Sequence, residues 1–211
     1  MSEILKINPV SPETEPLARA AGLIQQGGVV AIPTDTVYGL AADPFNNAAV
    51  ERLFAIKGRP PDSPVLLLVD SMEMAAGLSK NLPASFHALA ERYWPGPLTI
   101  VVEASERIPG IITANTGRVG MRHPAAAIPQ ALVRAVGGPI TGSSANLSGH
   151  PECRSAREVE ISLGQVVPLI LDGGPSPDSI PSTVINIMSQ SWELIREGAI
   201  RRAELEIFFA G

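Results

Sequence analysis

Cysteine is nearly missing from this sequence. The single thiol, Cys153, can form no disulfide within the chain and fits a reducing compartment, so a cytoplasmic location is expected. No apolar run reaches the ~18 residues of a membrane span. The first residues lack the basic–apolar–small order of a secretory signal, so neither a membrane segment nor a signal peptide is expected. Positive charge is in deficit, with 16 Lys and Arg against 21 Asp and Glu and a net charge of −5. That balance argues against nucleic-acid binding driven by overall charge, without excluding a local basic groove. Only three histidines occur, His87, His123 and His150, and none has metal-ligand spacing to another or to Cys153. A P-loop is absent, as is a Gly-x-Gly-x-x-Gly after a strand. No Gly-x-Ser-x-Gly elbow is present either, and Ser143 and Ser144 have no evident His–Asp partners.

What is present is ample apolar material, 45% of 211 residues, with no composition break, so a single domain over 1–211 is expected. Twenty prolines and nineteen glycines separate the apolar runs as turns. Ser11-Pro12-Glu13 reads as a helix start, with Leu17, Ala20, Ala21 and Ile24 on one face and Gly27-Gly28 as the stop. Val29 to Pro33 reads as a strand, Asn47 as the cap of a helix reaching Lys57, and Val65 to Val69 as a strand buried on both faces. Helices are expected from Ser71 to Leu78, Pro83 to Tyr93, Ile128 to Val136 and Glu158 to Leu163. Strands are expected over Leu98 to Val102, Val119 to Arg122, Val166 to Leu171, Ser182 to Ile187 and Trp192 to Arg196. Strands and helices alternate early and strands follow one another late, which predicts an α/β fold with a mixed sheet.

The chemistry gathers at element ends. The strand ending at Ile32 runs into Thr34, Asp35, Thr36 and Tyr38, polar groups that need partners, and strand ends are where open α/β sheets bind ligands. Lys57, Arg59, Arg122 and Arg196 lie at or just beyond helix or strand ends. If they converge, they make a pocket for several negative charges; otherwise they are separate surface ion pairs. The loop Ser143 to Gly149 offers hydroxyls, Asn146 and free backbone N–H groups, suited to cradling phosphate or simply to a polar loop. Ser182-Thr183 adds two more hydroxyls at a strand start.

Together these segments resemble the YrdC-type threonylcarbamoyl-AMP synthases. The resemblance rests on Pro33 to Leu40, Lys57-Gly58-Arg59-Pro60, Trp94 to Thr99, Val119 to Pro124, Ser143 to Gly149, Ser182-Thr183-Val184 and Arg196 to Ile200. These stand in the family's order and span about residues 15–200. The resemblance implies a YrdC/RibB-like twisted mixed β-sheet with flanking helices and a concave basic cleft, in a short bacterial form without the extra C-terminal domain of longer members. It also implies a nucleotidyltransferase that makes threonylcarbamoyl-AMP and pyrophosphate from L-threonine, bicarbonate and ATP. The product would pass to a tRNA threonylcarbamoyl transferase complex for N6-threonylcarbamoyladenosine modification at position 37. Lys57, Arg59, Ser144, Asn146 and Arg196 would then serve the nucleotide, and Thr34, Arg122 and Ser182 would serve threonine. Mg2+ would be carried mainly on the ATP phosphates, and a weak RNA contact is compatible. Two departures stand out: Leu68 where some long relatives have a histidine, and Arg118 where threonine or serine is common. A double-stranded RNA or tRNA-binding module, or a paralogue with another carbamoyl-adenylate chemistry, are the alternative readings.

Overall fold

A computed structural model of the chain describes residues 2–60, 62–177, 180–188 and 192–210. A strand that the sequence did not signal comes first, β1 (Glu3–Lys6), and then α1 (Thr14–Gln25). Leu17, Ala20, Ala21 and Ile24 are its buried face, as their spacing requires, although Glu13 and not Ser11 stands at the cap. After β2 (Val30–Ile32) and β3 (Gly39–Ala41) comes α2 (Asn47–Lys57). Its cap is Asn46 rather than Asn47: the Asn46 side-chain oxygen accepts from the Ala49 N–H at 3.2 Å. Gly58 ends α2 in the left-handed region at φ +56°, a conformation open to glycine at little cost.

The run Val65 to Val69 is buried throughout except for half-buried Leu66, but only β4 (Leu67–Leu68) pairs as a strand. The Val65 N–H bonds instead to the Ile112 carbonyl, on a short helix that the sequence reading did not anticipate. Next come α3 (Met72–Leu78), capped by the Ser71 hydroxyl, then α4 (Ala84–Tyr93), β5 (Leu98–Glu103), α5 (Gly110–Thr113) and β6 (Arg118–Arg122). Helix α6 (Ala127–Val136) leads to two-residue strands β7 (Ile140–Thr141) and β8 (Ser143–Ser144). The chain continues through α7 (Ala156–Leu163), β9 (Leu169–Asp172), β10 (Thr183–Asn186), β11 (Glu193–Arg196) and α8 (Arg202–Ala210). Helix α8 covers an aromatic seam in which Phe209 stacks on Trp192 at 5.1 Å and Phe208 meets Tyr93 at 6.0 Å.

The mixed α/β expectation holds, with the strands divided between two sheets. Among the described residues the first runs β1-β9-β2-β3-β8 and the second β11-β10-β5-β6-β4-β7. Both contain parallel and antiparallel pairs. One core cluster packs Leu17, Ile24, Leu132 and Val133 of α1 and α6 on Ile32, Leu169 and Leu171. The other joins Leu53, Phe86 and Leu89 to Leu67, Ile100 and Met121 of the second sheet. Gly142 makes the corner between β7 and β8 possible. A Cβ there would sit 2.5 Å from Leu66 and 2.9 Å from Leu68, while its N–H bonds to the Leu66 carbonyl at 2.9 Å. Among the described residues no helix is long and apolar enough to cross a membrane.

Candidate active site

Residues of both sheets line a cavity of about 420 Å³, within the range of small-molecule sites. From the first sheet come Gly39, Ser143 and Ser144; from the second come Leu68, Thr99, Val101, Gly120, Arg122, Val184, Ile195 and Arg196. Arg118, at the start of β6, lines it too, and the loops add Thr34, Thr36, Tyr38, Arg59, Glu152 and Ser182. Four arginines thus face one concavity with a largely apolar floor.

Arg122 is held by a buried polar network. Its guanidinium is 2.5 Å from Asp35 and donates to the Thr36 hydroxyl at 2.9 Å and, more weakly, to the Thr34 hydroxyl at 3.4 Å. Thr34 in turn donates to the Val37 carbonyl at 2.7 Å, which fixes the turn after β2. Burial pushes the Arg122 pKa down and Asp35 opposes the shift. One Arg122 donor, Nε, and one Asp35 oxygen are buried without a partner, so this network retains hydrogen-bonding capacity.

Arg196 is pinned at the β11 edge of the second sheet. It donates to the Ser182 carbonyl at 3.1 and 2.8 Å and to the Ser182 hydroxyl at 3.2 Å, and that hydroxyl lies 2.9 Å from Thr99. The parallel register of β10 on β5 sets Thr183 opposite Leu98 and Val184 opposite Thr99, which brings these groups together. Arg59 donates to the Pro64 carbonyl at 2.9 Å, with Ser143 at 3.4 Å. Burial lowers the pKa of both Arg59 and Arg196, and Arg59 is lowered further by the charge of Arg196. Arg196 is lowered by Arg122 and raised by Glu152, and an anion bound among these cations would relieve their repulsion.

Lys57 and Asn146 take a different place from the one their motifs suggest. Both are buried behind the cavity wall, at 3% and 5% exposure, and neither lines it. The Lys57 ammonium donates to the Ser144 carbonyl and, at 2.8 Å, to the Asn146 carbonyl. The Asn146 amide donates to the His150 carbonyl at 2.6 Å and to the Leu147 carbonyl at 3.0 Å. Burial, with Arg59 adding to it, lowers the Lys57 pKa to about 8. These two residues shape the 143–149 loop, while Ser144 itself faces the cavity. Of the residues singled out from sequence, Thr34, Arg59, Arg122, Ser144, Ser182 and Arg196 line the cavity. Glu152, Thr99 and Thr116, to which the sequence assigned no site role, line it as well. Glu152 stands in an irregular segment with no motif to announce it, whereas the closeness of Thr99 to Ser182 exists only once β5 and β10 pair. Among the described residues no group of three His, Cys, Asp or Glu could hold a metal ion.

A model of Sua5, YciO and YrdC proteins, described as "Telomere recombination", matches residues 22–198. The chain belongs to the Sua5/YciO/YrdC family. Within that family it is 40% identical over 187 residues to the threonylcarbamoyl-AMP synthase of Pyrococcus abyssi, covering 89% of this chain and 55% of that one. It is 36% identical to the threonylcarbamoyl-AMP synthase of Halorhodospira halophila, covering 79% of this chain and 88% of that one. The solved structure of P. abyssi Sua5 complexed with L-threonine superposes with a TM-score of 0.94 at 37% identity, covering 98% of this chain and 60% of that one. The chain therefore spans about half the length of its Pyrococcus relative, and the likeness extends across both sheets of the Sua5/YciO/YrdC fold.

Proposed function

We propose that this protein is an L-threonylcarbamoyladenylate synthase, a nucleotidyltransferase that joins L-threonine, bicarbonate and ATP into threonylcarbamoyl-AMP and pyrophosphate. The observation that carries the reading is the convergence of Arg59, Arg118, Arg122 and Arg196 with Ser144, Ser182 and Thr34 on one cavity. The Pyrococcus structure with L-threonine bound, on the same fold, favours an amino acid as one occupant.

In this reading the amine of threonine takes up bicarbonate to give a carbamate, with loss of water. A carbamate oxygen then attacks the α-phosphorus of ATP; a new P–O bond forms and the bond to the β-phosphate oxygen breaks, releasing pyrophosphate. Both partners are anions, so the barrier is dominated by charge and alignment rather than by a protein nucleophile. Arg59, Arg196 and Ser144 bind the polyphosphate. Arg122, with Thr34 beside it, takes the threonine carboxylate, and Ser182, held by Arg196 and Thr99, completes the amino-acid pocket. Lys57 and Asn146 keep the Ser144 loop in shape. The donor set fits a magnesium ion that arrives on the phosphates: Glu152 and the Ser143 and Ser144 hydroxyls are the oxygen groups at hand, and magnesium keeps waters and needs few protein ligands. Magnesium would neutralise charge on the departing pyrophosphate.

The product would be handed to a tRNA threonylcarbamoyl transferase complex for modification at position 37, in the cytoplasm. The test is product analysis: isotopically labelled bicarbonate with ATP and L-threonine should yield labelled threonylcarbamoyl-AMP by mass spectrometry. Unlabelled AMP alone, or no nucleotide product, would reject the reading.

A further inference from the structure

Glu152 is out of keeping with its surroundings. Among the described residues it is the one carboxylate lining a cavity that otherwise carries four arginines. It makes no ion pair with any of them among the described residues. Its backbone is anchored, because the neighbouring Cys153 is buried and the Cys153 carbonyl accepts from the Tyr38 N–H at 2.9 Å. Its charge reaches both Lys57, behind the Ser144 loop, and Arg196. A carboxylate in a site for polyphosphate repels a bare triphosphate. The same carboxylate attracts a triphosphate that carries a divalent cation, since magnesium is held by one or two carboxylates together with substrate phosphates.

We propose that Glu152 is a specificity-determining residue that makes the cavity select the magnesium complex of a nucleoside triphosphate over the bare nucleotide. This rests on the nucleotide reading above and adds a sign to it: the arginines supply affinity for phosphate, and Glu152 decides which charge state of the nucleotide receives it. The carboxylate would lie on the side of the cavity nearest Arg196 and the Ser144 loop, where it can share the cation with the phosphates.

Calorimetric titration with ATP in excess magnesium, and again with EDTA, gives the ratio of the two affinities without any turnover. The wild type should prefer the magnesium form. Glu152→Gln should lower that preference by about tenfold or more, tightening bare ATP while weakening the magnesium complex. Glu152→Asp, which keeps the charge, should retain it. Glu152 is only partly buried, so the isosteric amide leaves the fold intact, which a thermal melt checks. A ratio unchanged in Glu152→Gln, or equal weakening of both forms, overturns the proposal while the nucleotide reading stands. A wild-type protein that binds neither form overturns both.

Discussion

Arg122 illustrates how a residue's surroundings decide what its substitution reports. It is 4% exposed and paired with Asp35. Arg122→Ala would leave the half-buried Asp35 carboxylate without its cation, and a loss of about 3 kcal/mol of stability is expected, visible as a lowered melting temperature. That loss would mask any effect on substrate. The double variant Asp35→Asn/Arg122→Gln removes both charges together and keeps a polar side chain at each position. It should fold and weaken L-threonine binding by about tenfold or more while leaving ATP binding within about threefold; equal weakening of both ligands would refute the carboxylate role. Arg59 is the simpler case, because among the described residues its cavity-facing charge has the Pro64 carbonyl and a distant Ser143 hydroxyl as its hydrogen-bond partners. Arg59→Ala should lower kcat/KM by about 10²–10³ and stability by no more than about 1 kcal/mol. Near-normal turnover would remove Arg59 from the phosphate site.

At the level of elements, the decisive contact joins the end of α2 to the loop after β8. Lys57 is the last residue of α2, and its ammonium ties down the carbonyls of Ser144 and Asn146. Its pKa is about 8 in the folded protein against an ordinary 10.5. The folded protein therefore holds this proton less tightly than the unfolded chain, and unfolding takes up protons between those values. Stability contributed at Lys57 rises with pH across that window and is flat below it. Relative to Lys57→Met, the wild type should gain up to about 3 kcal/mol between about pH 8 and about pH 10 in urea unfolding; a difference constant with pH would contradict the buried, weakly held proton. This contact also shows where sequence reading stops. The Lys-Gly-Arg motif placed two cations together, but their divergence follows from Gly58 entering the left-handed region, which sends Lys57 to the loop and Arg59 to the cavity. The helices with clear apolar spacing, α1, α4 and α6, were legible. Strand β1 was not, because Glu3-Ile4-Leu5-Lys6 is short and mixed, and it exists only by pairing with Leu169 to Asp172 at the far end of the chain. The five-residue apolar run at Val65 was legible as buried but not as a two-residue strand, since its remaining hydrogen bonds go to elements that only the fold brings near.

On the scale of the whole molecule, function depends on two sheets contributing to one cavity. Ser143 and Ser144 come from the first sheet, Arg122 and Arg196 from the second, and neither sheet alone presents the full set of cations and hydroxyls. The motifs along the sequence identified most of that set, because chemistry at strand ends survives as recognisable residue clusters. The division into two sheets, and the carboxylate at Glu152, required the fold. The acidic balance of the chain, −5 overall, coexists with this cationic concavity. That pattern fits a small anionic substrate drawn into a pocket better than a broad nucleic-acid surface. The most direct test is pyrophosphate release from ATP with magnesium and bicarbonate, measured with L-threonine, with L-serine and with neither amino acid. The account predicts release that requires bicarbonate and is much faster with L-threonine than with either control; release indifferent to L-threonine, or none from folded protein that binds ATP, would contradict it.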